Sequence, residues 1–399
     1  MWKVIAAACV SLVLTAPLDD TRIDYTPINQ FALRLLDNTY AYQENFGRQN
    51  FAVSPLSVWS IFSLLAEGSA GDTFHELMKE LQLPRDLSET QGLHLAAEGI
   101  LRSTDPDLIV HKQSAMFPEC SLEIHQEFCQ AANMYRTDIY SVDTSNTTKL
   151  ADDINYYICV ATEGRIRNAV KADILQDLKL LIVDALFFKA NWTHPFDPTE
   201  TKEDEFYNQQ GKSLGRVNMM YHKAAHNVGD SNVLGAQILE MAYGKNEEFS
   251  MLILLPFEGM PLKRLLNNLA IAPLDWISDF KRDDKPPEID VFIPRFKVSS
   301  QIDLIPPLQY TGIRNIFDSE KAQLPGISDS PLFVSKTIQN VEIEVTEEGT
   351  VAAAATIVGL ENRFLSRRFE ANKEFVFMIT HRKSNVILFA GVYSDPSVE

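Results

Sequence analysis

In the first third of the chain, apolar residues recur at helical spacing. Ile28, Phe31 and Leu35, with Ala32 and Leu36, form one stripe, the pattern of a helix that buries one face. Ser54-Pro55 then opens the run LSVWSIFSLLAEG, with proline in a helix-start position and Gly68 at the end. Thr73 to Leu81 predicts a further short amphipathic helix. From Leu180 onward the pattern changes to LLIVDALFFKA, ILEMAYG, FSMLILLPF, IDVFIPRF, QNVEIEV, FVFMITH and NVILFAGVY. Short apolar runs of this kind, bounded by turn residues, predict strands. Between the two regions, roughly residues 150–168 predict a helix that has to pack over one sheet. No repeat, low-complexity tract or Gly/Ser linker marks a boundary, so one α+β domain is expected, with a helical N-terminal part and large mixed β-sheets.

The start of the chain changes the picture. Val4 to Ala16 is an apolar run behind Met1-Trp2-Lys3, and an acidic, proline-containing stretch comes directly after it. This predicts a secretory signal peptide over residues 1–16, its cleavage point left open by Pro17, ahead of a domain over 17–399. A membrane anchor is the competing reading, but a span needs about 20 apolar residues and no later stretch offers one. The chain of 399 residues has 36 Lys+Arg against 54 Asp+Glu, a net charge of −18. That balance repels phosphates and anionic lipid, so neither nucleic acid nor a membrane is an expected partner.

Two sequons, at Asn146 and Asn191, fit a secreted glycoprotein. Beyond the signal segment the cysteines are Cys120, Cys129 and Cys159, an odd number. Three buried reduced thiols, or one bridge between Cys120 and Cys129, are both compatible with it.

Local motifs for catalysis are weak. Gly229-Asp230-Ser231 resembles a protease nucleophile turn but lacks the glycines that should come next. His222 and His226 are spaced i, i+4, yet the intervening Glu of a zinc motif is absent, and a solvated turn is expected. No GxGxxG, P-loop or GxSxG occurs. Neither an enzyme nor a metal or other cofactor is therefore expected.

The informative stretch is residues 344–369, which begins as the continuation of a strand and passes through Glu347-Glu348-Gly349 into a small-residue segment. Read with period two, Thr350, Ala352, Ala354, Thr356, Val358 and Leu360 share one face, all small or apolar, and the run lacks proline. Every backbone N–H is free to pair, and that face can be buried. The segment is a strand in waiting.

These residues resemble the serpin family of serine protease inhibitors, and the resemblance runs along nearly the whole chain. It is carried by Asn50-Phe-Ala-Val-Ser-Pro-Leu-Ser57, Gly68-Ser-Ala-Gly-Asp-Thr73, Thr162-Glu-Gly-Arg-Ile166 and Asp184-Ala-Leu-Phe-Phe-Lys-Ala-Asn-Trp192. Phe196, Thr201 and Phe206 come next at the family's spacing, then Ile293-Pro-Arg-Phe-Lys297 and Phe389-Ala-Gly-Val-Tyr-Ser-Asp-Pro396. The resemblance implies an exposed reactive-centre loop over about 347–369. A protease attacks it as bait, forms an acyl-enzyme, and is trapped as the freed loop inserts into the main sheet. Serpin loop insertion is an established example of strand addition. A strand added between two others gains about a dozen ladder bonds, on the order of 10 kcal/mol, so the uncut protein is kinetically trapped.

The family's counting rule places the attacked residue fourteen positions after Gly349, at Arg363, so the reactive bond joins Arg363 to Phe364. A guanidinium there suits a carboxylate-floored specificity pocket, hence a trypsin-like protease partner in a covalent complex. Arg367 and Arg368 are rivals. The resemblance also implies a polar cluster at the centre of the opening sheet, formed by Ser54, Ser57, Asp184 and Gln339, with Trp192 nearby. Asp184 stands where the family usually has Asn and Gln339 where it usually has His, so a swapped polar pair is expected. The basic helix by which many serpins bind heparin corresponds to Leu87 to Asp107, which holds only Arg102 among several acids; heparin binding is not indicated. A secreted monomer is expected, acting in an extracellular cascade of immunity or clotting type. A non-inhibitory carrier, storage protein or chaperone is the alternative, and the small residues from Ala352 to Ala355 argue against it.

Overall fold

The computed structural model describes residues 3–4, 23–47, 50–101, 107–281, 286–348 and 367–397. In chain order its elements are β1 (Lys3–Val4), α1 (Thr26–Glu44), β2 (Phe51–Val53), α2 (Pro55–Glu67), α3 (Gly71–Glu80), α4 (Leu87–Ile100), β3 (Leu108–Pro118), α5 (Gln126–Met134), β4 (Thr137–Ser141), α6 (Thr147–Ala161) and β5 (Leu180–Ala190). Next come β6 (Lys202–Tyr207), β7 (Ser213–Ala225), β8 (Asn227–Ser231), β9 (Ala236–Tyr243), β10 (Phe249–Pro256), α7 (Leu262–Ile271) and α8 (Trp276–Asp279). The last are β11 (Glu288–Pro294), β12 (Phe296–Asp303), α9 (Ile305–Thr311), β13 (Lys336–Val345), β14 (Arg368–Glu370), β15 (Phe375–His381) and β16 (Ile387–Tyr393).

Three sheets result, ordered β1-β4-β3-β5-β13-β12, β2-β16-β15-β10-β9-β8 and β14-β11-β7-β6. The fold is a single α+β domain, as expected. Helix α2 is apolar nearly all round, and all its residues but Glu67 are buried between the two large sheets and the helices. Strand β5 is buried over most of its length, because both faces of its sheet are covered. Its residues alternate. Leu181, Val183 and Ala185 pack under α6 with Leu150, Ile154 and Ile158, whereas Ile182, Leu186 and Phe188 face the main core. The expected helix over the sheet is present, starting earlier and ending earlier than 150–168, as Thr147–Ala161.

One predicted strand divides. IDVFIPRF contributes residues 289–294 to β11 of the third sheet and starts β12 at Phe296 in the first, with Arg295 at the break.

Candidate functional site

At the centre of the first sheet, β5 and β13 pair directly and in parallel, from Lys336↔Leu181 to Ile343↔Phe188. Their other neighbours, β3 and β12, are antiparallel to them. A chain turning back from the end of β13 would run antiparallel to both seam strands, converting one parallel pair into two antiparallel ones, the slightly more stable kind.

A buried polar cluster bridges this seam. Gln339 lies in register with Asp184, and its Nε2 donates to the Asp184 carboxylate at 2.7 Å and to the Ser54 carbonyl at 3.1 Å. The Ser54 N–H donates back to Gln339 Oε1 at 2.9 Å. Ser57 and Ser114 hydroxyls donate to Asp184 Oδ1 at 2.8 and 2.7 Å. Ser54 sends its own hydroxyl to the Leu388 carbonyl. Burial pushes the Asp184 carboxyl up from the usual carboxylate range; the Lys112 charge and the Gln339, Ser114 and Ser57 donors pull against it. Lys112 is itself paired with Glu98, both side chains nearly buried. Nothing in the sequence points to Ser114 or Lys112, because the half-buried start of β3 carries no clear apolar alternation.

At the top of the seam, the residues after β13 are anchored to the body. The Trp192 indole N–H donates to the Thr346 carbonyl at 2.9 Å, and the ring stacks on Tyr243 at 4.3 Å. The Phe196 N–H donates to the Glu347 carbonyl at 3.2 Å, and the Thr201 hydroxyl to its carboxylate at 2.8 Å, with Arg295 3.6 Å away. Glu347 is only 7% exposed.

The family described as serpin (serine protease inhibitor) matches residues 26–396. The chain belongs to the serpin family. A serine protease inhibitor of Cyanea capillata is 32% identical over 88% of this chain and 93% of its own. The human leukocyte elastase inhibitor is 30% identical over 90% and 97%. Serpin48 of the insect Tenebrio molitor, described as a highly specific serpin, superposes with a TM-score of 0.78 at 26% identity, over 92% of this chain and 96% of that one. The family consists mostly of serine protease inhibitors, rather than enzymes, and its members work both outside and inside cells.

In this serpin, Gly349, Thr350, Ala352, Ala354, Thr356, Val358, Leu360, Arg363 and Phe364 lie outside the described residues. The described residues at the two ends of the expected loop, about 347–369, are held by the body. Glu347 is held by Phe196, Thr201 and Arg295, and Phe369 is buried in β14, which pairs in parallel with β11. The two rival arginines are engaged as well. Arg367 pairs with Asp230 at 3.0 Å and donates to the Val228 carbonyl. Arg368 stacks over Phe292 at 4.2 Å and pairs with Glu370.

Other expectations also change. His222 and His226 do not form a solvated turn: His222 is on β7, both are buried, and their Nε2 atoms are 2.9 Å apart. The period-two strand, with Met220 and His222 on one buried face, overrides the i, i+4 reading, and His226 comes just beyond its end. Gly229-Asp230-Ser231 belongs to β8, where the Asp230 carboxylate serves Arg367. The three cysteines are free, and Cys120 is exposed rather than buried. Asn146 is exposed and caps α6 through its Oδ1, accepting from the Lys149 N–H, so its amide nitrogen is turned to the outside of the cap. Asn191 is half-buried and its amide nitrogen donates to Asp107.

Proposed function

We propose that this serpin is a secreted, monomeric suicide inhibitor of an arginine-specific, trypsin-like serine protease, with Arg363–Phe364 as the bait bond. The observation that carries the reading is the seam: two parallel strands paired directly, with the chain leaving β13 anchored at their open end. In this reading a protease serine hydroxyl attacks the Arg363 carbonyl carbon. The bond to Phe364 breaks, its nitrogen takes the proton, and an ester joins the two proteins. The freed segment then enters the seam with Thr350, Ala352, Ala354, Thr356, Val358 and Leu360 on the inward face. The engagement of Arg367 and Arg368 favours Arg363, because a protease needs several residues of extended, unpaired chain around the bond it cuts. The apolar start of the chain and the exposed Asn146 sequon support secretion.

The test is titration of trypsin with three forms of the protein. Inhibition falls at least a hundredfold in Arg363→Gln and stays within threefold of the parent in R367Q/R368Q. The reverse pattern would move the reactive bond.

A further inference from the structure

The anchor of Glu347 stands on a pair of buried imidazoles. Phe196, whose N–H holds the Glu347 carbonyl, lies flat against His222 with ring centroids 4.0 Å apart and planes 8° apart. His222 in turn stacks on His226 at 4.9 Å, and a single N–H···N bond of 2.9 Å joins their Nε2 atoms. Such a bond uses one proton between two neutral rings. We infer that His222 and His226 make the hinge anchor acid-sensitive, so that mild acid releases Glu347 from Phe196 and frees the loop base to enter the β5–β13 seam.

The surroundings favour neutral rings while the anchor is closed. His194, exposed on the same turn as Phe196, lies 5.8 Å from His226 and adds a like charge when protonated. Glu240 of β9 faces His226, but it is already committed to Lys281 at 3.0 Å, Arg382 at 3.4 Å and Asn227. Glu347 is taken by Thr201 and Arg295. Lys223 of β7 and Glu288 of β11 are exposed and screened by water. Burial therefore dominates, and it pushes His222 down to about 4 and His226 down to about 3.

In water both rings would titrate near their ordinary 6.5. Between that value and about 4, both rings of the closed anchor stay neutral, whereas an opened anchor takes up as many as two further protons. Each exposed ring multiplies the opening equilibrium by the ratio of its protonated and neutral forms to the neutral form alone. From pH 7.5 to pH 5.5 the two together raise it roughly a hundredfold.

This inference rests on the seam as the site of loop entry, and amide hydrogen exchange of the full chain tests it without any protease, separately from inhibition. After correction for intrinsic rates, protection of residues 192–201, 222–226 and 341–348 is expected to fall by roughly a hundredfold between pH 7.5 and 5.5, while β15 stays protected. In H222Q/H226F the fall is under threefold, and in H226F alone, the fallback if the double variant does not fold, it is roughly tenfold. His94→Gln, which alters a buried imidazole away from the hinge, keeps the full response. An undiminished fall in H222Q/H226F or in H226F, or no selective fall in the parent, overturns it.

Discussion

Asp184 and Gln339 set the cost of parting the two seam strands. Gln339 can serve Asp184 and both backbone groups of Ser54 only in the orientation seen, with its nitrogen toward the carboxylate. Asp184→Asn turns one acceptor into a donor facing that nitrogen, and a flipped Gln339 would lose both Ser54 bonds. The single variant is expected to lose about 1–3 kcal/mol of stability to urea at pH 7.5. D184N/Q339H restores the donor–acceptor arrangement usual in the family and recovers most of it, a coupling of about 1–2 kcal/mol. Additive losses would contradict the bridge. The pair is legible in the sequence because both residues depart from the family pattern at positions expected to meet. The Ser114 hydroxyl and the Lys112 charge are not, since they arrive from β3, whose polar, half-buried first half reads as no element in particular.

At the scale of the element, the proposed inserting strand needs six inward positions that a closed sheet can swallow. Ala354→Arg puts an unpaired guanidinium among them, and a buried unpaired charge costs several kcal/mol. That variant is expected to be cut at the normal rate but to release active protease, needing at least ten molecules for each protease blocked. Unchanged stoichiometry on titration would exclude Ala354 from the buried face. Elements are readable wherever burial on both faces leaves a nearly unbroken apolar run, as in β5, β10, β15 and β16. The exposed edge strand β6 and the half-exposed β8, with charges on their open faces, carry no such run. The break at Arg295 is equally hidden, because a continuous apolar pattern there passes from one sheet to another.

For the whole molecule, pH dependence gathers the buried histidines together. Burial holds His94 down to about 4, alongside His222 and His226. The unfolded chain protonates all three near 6.5, so it binds more protons than the native state between 6.5 and about 4, and stability falls as pH drops through that window. Asp37, Asp303 and Glu374, raised by burial, act with the opposite sign at lower pH. Replacing His94 by Gln is expected to reduce the loss between pH 6.5 and 5 by about 2 kcal/mol. Urea midpoints at the two pH values check it, and an unchanged loss would mean that His94 titrates normally. In the proposed function, a loop able to complete a sheet is a trap set by covalent attack. The most direct test is to mix the protein with a slight deficit of trypsin, run a denaturing gel and weigh the released C-terminal peptide. The account predicts a heat- and detergent-stable band near the summed mass and a peptide beginning at Phe364. Clean cleavage with no such band would contradict it.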